Sequence, residues 1–361
     1  MRAIIHIGDQ KNGSKAYQCF LNDNRTRLLE NGFLVPVSTK ITGHGYDSRL
    51  AAVAGDVEFV SQAVRDFQLS SGASWAIRKK VRQELEREIG LCGSEVHTLL
   101  MSFEGLAHLS PAGIGVIADL FKGLAKEFLI ICSFRRQDRK LCSGFSTGLL
   151  HGLDWVGCHP FTDKNGNLKK RGGLLENLSY SVFALNWQSQ FGFESVDVFR
   201  YEDIAADVLA GLWKGIPSLL SFLEKSRQRQ GVARINRGLS FEAQSYIYSF
   251  NNYLKQGFLP EFSGLSQNEL FDLRCSVSSE FVGKSFLPAR RSVEEFYFSN
   301  FSDSNKGLSR VVGAGSEDFF DHDFSSYPED MPGKLELQSL EAVRQVFGDL
   351  GLGELAGNYT R

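Results

Sequence analysis

Methionine is scarce in this chain, three residues in 361, and proline is thin at eight. The six cysteines (Cys19, Cys92, Cys132, Cys142, Cys158 and Cys275) include no C-x-x-C pair. That spacing argues against a zinc site and for thiols kept reduced in a cytoplasm. No apolar run reaches the ~18 residues that a membrane helix needs. No basic stretch followed by an apolar one opens the chain, so a secretory leader is not expected and a cytoplasmic location is. Net charge is −2, with 40 basic and 42 acidic residues. The basic clusters Arg135-Arg136, Lys169-Lys170-Arg171 and Arg290-Arg291 are short. Without a basic stripe, no nucleic-acid partner is expected. Phenylalanine is abundant, at 29 residues, and suits a rigid aromatic core.

Hydrophobic periodicity sets out the elements. Residues 3–7 are a short apolar run, read as a buried strand that stops at Gly8. Helical spacing follows over 16–31, with Gly32 as its C-terminal cap. Strands are expected at 33–37, 96–103, 128–134 and 196–199. Helices are expected at 57–67, 73–89, 111–126, 178–191, 206–212 and 335–347. Residues 38–55 and 151–175 read as long loops, 226–300 as a largely helical cap, and 302–327 as a polar loop or tail. Strand alternating with helix over the first 150 residues predicts an α/β fold with a doubly wound parallel sheet. No internal repeat divides the chain, so one domain over 1–361 is expected, with the cap inside it.

The opening segment, MRAIIHIGDQKNGSKAYQCFL, carries the strongest chemical signal. Strand, glycine-containing loop and helix in that order build an anion site, because the N–H groups of the first helical turn converge. Lys11, Ser14 and Lys15 add two cations and a hydroxyl there. Gly8 and Gly13 match half of a nucleotide-binding P-loop, but Ser14-Lys15-Ala16 follows where Lys then Ser or Thr is required. Three further places bear polar groups at strand ends. Arg135 ends one strand, and Ser143 follows eight residues later on a helix, a spacing able to bring guanidinium and hydroxyl onto one phosphate. Glu104 follows directly on a buried strand, at the edge where parallel sheets bind ligands. The triplet Tyr201-Glu202-Asp203 closes a late strand.

HIGDQKNGSKAYQCFL resembles the 5′-phosphosulfate loop of PAPS-dependent sulfotransferases, whose bacterial members open with H-I-G-x-x-K-x-G-[ST] (PAPS is 3′-phosphoadenosine 5′-phosphosulfate). The R-R-Q-D run at 135–138 is similar to the same family, and weaker echoes lie at Arg234-Ile235-Asn236 and Ser304-Asn305. The resemblance implies a P-loop-like three-layer fold and sulfonate transfer from PAPS to a hydroxyl or amine, with no metal. It implies that Lys11, Asn12, Gly13, Ser14 and Lys15 hold the phosphosulfate, and that Arg135 and Ser143 hold the 3′-phosphate. Tyr201 falls at an adenine contact. Glu104 falls at the general base, with His108 the nearest alternative, and Lys11 neutralises charge on the leaving phosphate. The chain departs from the family pattern at Lys15, where Thr or Ser is usual, and at Ala16, where vertebrate enzymes carry a Trp. Their R-K-G and G-D-W-K-N-x-F segments have no clear match. A P-loop kinase and a non-catalytic PAP- or glycan-binding relative are the rival readings. The acceptor, a small molecule or a glycan, is expected under 38–55, 151–175 and 226–300, where Trp155, His159 and the Lys169–Arg171 cluster lie; Trp187 is a further candidate.

Overall fold

The computed structural model describes residues 1–9, 11–41, 46–55, 62–71, 74–152, 161, 178–227, 239–281, 283, 288–330, 335 and 337–358. In chain order the elements begin β1 (Arg2–His6), α1 (Ser14–Asp23), α2 (Arg25–Leu29), β2 (Phe33–Leu34), α3 (Arg49–Ala54), α4 (Gln62–Ser71), α5 (Ser74–Cys92) and β3 (Thr98–Ser102). They continue α6 (Pro111–Phe121), β4 (Glu127–Phe134), α7 (Gln137–Leu150), α8 (Tyr180–Phe191), β5 (Val196–Arg200), α9 (Tyr201–Ile204), α10 (Val208–Leu212) and α11 (Pro217–Arg227). The last are α12 (Phe241–Lys255), α13 (Gln267–Glu280), α14 (Arg290–Asn300), α15 (Ser302–Val312) and α16 (Leu340–Asn358).

The five strands form one parallel sheet in the order β2-β3-β1-β4-β5, as the strand–helix alternation predicts. β1 lies at its centre, with His6 opposite Ser102 of β3 and Ile131 of β4. β1, β3 and β4 are buried along most of their lengths, which is why they read as apolar runs, whereas β5, VDVFR at the sheet edge, is half-buried. Ile4, Leu100, Leu129 and Ile131 point to one face and join Tyr17 and Leu21 of α1, Leu28 of α2 and Trp213 beyond α10 in one buried cluster. Tyr17, wholly buried, accepts a hydrogen bond from Trp213 Nε1 at 3.2 Å. α8 packs on β4 and β5 and is itself covered by α6 and α15.

The chain divides into two compact units. The sheet unit comprises 1–136, 172–233 and 301–321; the second comprises 137–171, 234–300 and 322–361. The second unit is helical among its described residues, and its core includes Phe145, Ile247, Phe250 and Phe347. Its Phe250 and Phe347 rings stack at 3.9 Å. There the C-terminal carbonyls of α7 are capped by side chains: Leu149 by Asn251 and Leu150 by Arg274.

Several boundaries differ from the sequence expectation. The helix expected over 16–31 starts at Ser14 and breaks at Asn24, whose side chain donates back to the Phe20 carbonyl at 3.0 Å. Such back-bonding competes with helix continuation. Residues 38–55 contain α3, and the polar segment expected as a loop begins with α15, which buries only Asn305, Leu308 and Ser309. No helix among the described residues is long and apolar enough to cross a membrane.

Candidate anion-binding site at the sheet edge

Because all five strands run the same way, the segments after β1, β3, β4 and β5 emerge at one edge of the sheet. The loop after β1 curls over β4. One carbonyl, that of Ser133, accepts from Asp9 N–H at 3.4 Å and from the Asn12 side-chain amide. Lys11 takes a left-handed backbone, φ 68°, the one non-glycine to do so among the described residues. A long side chain held there is strained and persists only where its surroundings fix it. Gly13 is also left-handed, at φ 77°, and serves as the N-cap of α1 without a side-chain cap. A Cβ on Gly13 would sit 3.0 Å from Val208 and 3.4 Å from Tyr201, so the loop lies hard against α9 and α10. α1 thus begins without a capping side chain, although the amides of a helix's first turn lack partners within the helix itself.

Charged groups converge on this loop. Arg135 extends from β4 and its NH1 approaches the Lys11 carbonyl at 3.5 Å. Tyr180 of α8 holds the Arg135 carbonyl at 2.9 Å. Burial pushes the Lys11 amine below its ordinary pKa; Lys15 and Arg135 press it down further, and Glu104 opposes them. Glu104 opens a 3-10 turn, Glu104–His108, directly after β3. Burial pushes its carboxyl above the usual carboxylate range, and Asp9 adds to that. Ser14 and Lys11 pull it down.

Arg136, the neighbour of Arg135, has a different role. It is 1% exposed, pairs with Asp321 at 2.9 Å, and its N–H reaches Glu202 at 3.3 Å. Glu202 of the Y-E-D triplet thus ties the end of β4, while Asp203 pairs with Arg200 at 2.7 Å. Tyr201 lies between the Gly13 loop and the Arg135 guanidinium.

Lys11, Asn12, Gly13, Ser14, Lys15, Glu104, Arg135 and Tyr201 all belong to the sheet unit and gather at this edge. Ser143 lies on α7 of the second unit, where its carbonyl accepts from Thr147 at 3.1 Å. Trp187 is buried in the core beside Phe191 and is no surface residue. Trp155, His159, Lys169–Arg171 and Arg234–Asn236 fall outside the described residues.

Sequence reading missed the polar floor of the loop. His6 is fully buried, with Nδ1 2.9 Å from the Ser102 hydroxyl, and burial lowers its pKa to about 3. A Cβ on Gly8 would lie 2.5 Å from His6 Nε2, so only glycine fits above that ring. Asp47, also buried, accepts from Ser102 N–H at 2.6 Å and pins the start of α3 to β3. Asp9 and His108 meet at 3.1 Å. The one signal in the sequence was the placing of polar residues inside apolar runs, at His6 and Ser102.

No group of three metal-ligating side chains occurs among the described residues. A cavity of about 390 Å³ opens at the opposite edge, lined by Arg2, Phe33, His97, Thr98, Lys126 and Ile216 among others; it borders none of the groups above.

No protein-family model matches the chain, and no curated protein does. Among solved structures it is similar to a sulfotransferase from Alicyclobacillus acidocaldarius. The two are 10% identical with a TM-score of 0.42, over 86% of this chain and 95% of that one.

Proposed function

We propose that the chain transfers a sulfonate group from PAPS to a hydroxyl or amine of a small-molecule or glycan acceptor. The observation that carries this reading is the placing of Lys11, Glu104 and Arg135 at the same sheet edge beside the start of α1, which has no side-chain cap. Three cations and a helix N-terminus suit a polyanionic donor. A carboxylate whose pKa burial raises suits proton removal near neutral pH.

In this reading Glu104 takes the proton of the acceptor as its oxygen or nitrogen attacks sulfur. The bond from sulfur to the 5′-phosphate oxygen breaks in line, and PAP leaves. Lys11 faces the charge that grows on the bridging oxygen, the place where a fixed cation helps most. Asn12, Gly13, Ser14 and Lys15 cradle the 5′-phosphosulfate. Arg135 takes the 3′-phosphate and Tyr201 lies by the adenine; Ser143 joins Arg135 on sequence position alone. Binding energy from the remote 3′-phosphate orients the reacting end. No step requires a metal.

The test is an acceptor panel of phenols, amino sugars and alcohols, with PAP release and acceptor mass followed together. Stoichiometric PAP and a gain of one SO₃ group support the reading. ATP consumption in place of PAPS consumption overturns it in favour of a kinase. PAP binding without any turnover favours a binding protein that keeps the fold.

A further inference from the structure

We propose that Asp9 and His108 are positioning residues, a buried clasp that fixes the Lys11 loop against the turn bearing Glu104; this rests on the sulfonate-transfer reading. The ladder between β1 and β3 ends at His6 and Ser102. One further backbone bond follows, Phe103 N–H to the His6 carbonyl at 3.1 Å. Past it the two segments part. One runs through Asp9 to Lys11; the other forms the turn Glu104–His108. The proposed base and its companion cation therefore hang from separate stretches of chain.

Asp9 lies two residues before Lys11, and His108 closes the turn that Glu104 opens. His108 Nε2 and Asp9 Oδ1 are 3.1 Å apart, with the side chains 9% and 0% exposed. Phe183 of α8 meets the imidazole edge-on, centroids 4.9 Å apart, and walls the ring from the far side. Separating a buried carboxylate from an imidazole at hydrogen-bond distance costs free energy, so the contact holds the two segments at one spacing. Displacement of a reacting group by about 1 Å can cost on the order of 100-fold in rate, which is the scale at stake. The charged groups bearing on Glu104 are Lys11 and Asp9, and Asp9 faces His108 in turn. Asp9 thus acts twice, by holding the turn and by its charge.

Three variants separate these effects. His108→Gln puts an amide nitrogen where Nε2 was but cannot take a proton. His108→Ala removes the contact, and Asp9→Asn keeps an acceptor without the charge. The assay is PAPS turnover with 4-nitrophenol, beside PAP affinity. His108→Ala is expected to lower kcat about 10- to 100-fold with PAP affinity within about threefold, and His108→Gln to recover most of kcat. Asp9→Asn is expected to move the acid limb of kcat to lower pH, because a negative charge near Glu104 is gone. His108→Gln as inactive as His108→Ala would make His108 the base and overturn the clasp. So would a His108→Ala enzyme with normal kcat. If His108→Ala does not fold, the Asp9→Asn profile decides, and an unmoved acid limb counts against the proposal. A wild-type protein that turns over no PAPS with any acceptor of the panel removes the sulfonate-transfer reading instead. Amide exchange at 11–14 then reads the clasp: His108→Ala should speed it about tenfold or more while His108→Gln does not, and equal rates would overturn it.

Discussion

The Arg135 guanidinium lies over the Tyr201 ring, 5.3 Å from its centroid, while its NH1 points to the Lys11 carbonyl. Its Nε is buried and has no hydrogen-bond partner among the described residues. Among the described residues no carboxylate pairs with this guanidinium, whereas that of Arg136 next to it is paired with Asp321.

That contrast separates the two arginines by experiment. Arg135→Ala should weaken PAP binding by about 1.5–3 kcal/mol, the worth of hydrogen bonds to a charged group, and leave stability nearly unchanged. Adenosine 5′-phosphosulfate, lacking the 3′-phosphate, should lose far less. Arg136→Ala should instead destabilise the fold by about 1–3 kcal/mol. Calorimetric titration with both nucleotides, beside thermal melts, checks the pair; equal losses for the two nucleotides would make Arg135 structural.

Lys11 and Glu104 should fail in different ways. Glu104→Gln should keep PAP affinity and cut turnover roughly 100- to 10,000-fold. Lys11→Ala should cut turnover and weaken donor binding as well, since some of the charge it meets is already present in the ground state. In the wild type, the acid limb of turnover should lie above the ordinary glutamate value of about 4.3, because burial raises the Glu104 carboxyl. Near-normal turnover by Glu104→Gln would place the base elsewhere.

The left-handed backbone at Lys11 gives a prediction about stability alone. Lys11→Gly should be more stable than Lys11→Ala by about 1 kcal/mol, since glycine adopts that conformation freely and alanine does not. Chemical denaturation of the two variants measures it. Equal midpoints and slopes would mean that the loop relaxes once the lysine is gone.

His6 links stability to pH. Its pKa falls from 6.5 to about 3 on burial, so the unfolded chain takes up a proton first as pH drops. Its contribution is complete above 6.5 and drains away toward 3, by up to about 1.4 kcal/mol per pH unit. Glu104 and Asp47, with carboxyls pushed up by burial, work in the opposite sense, so only a difference isolates the histidine. The stability gap between wild type and His6→Gln should shrink as pH falls from 6.5 to 4.5. A constant gap over that range would show that His6 titrates normally in the fold.

The sheet was readable because β1, β3 and β4 are apolar runs, and a parallel arrangement puts the residues that follow them on one edge. Glu104 and Arg135 were read that way, Lys11 from the order of strand, glycine loop and helix, and Tyr201 from the likeness of its triplet to the sulfotransferase pattern. α15 was not readable: SDSNKGLSRVV is polar, and the helix forms because α8 covers its short apolar stripe. The break at Asn24 rests on a side chain turning back on its own helix, which periodicity does not register. Which of two adjacent arginines faces the loop depends on Asp321, far along the chain, and the Asp9–His108 contact spans 99 positions. Local pattern contains neither pairing.

The central place of β1 has a consequence for how the chain is made. β1 is synthesised well before its two neighbours, which begin at Thr98 and Glu127. At roughly 5–20 residues per second, Ile4 and Ile5 wait on the order of 5–20 s for the first strand that can cover them. Through that interval the strand is an unpaired apolar edge, and the loop that follows it has no Ser133 carbonyl to fold around. The strand at the centre of the sheet thus gains its second edge only once β4 has been made, and the loop after it can close on the Ser133 carbonyl no earlier.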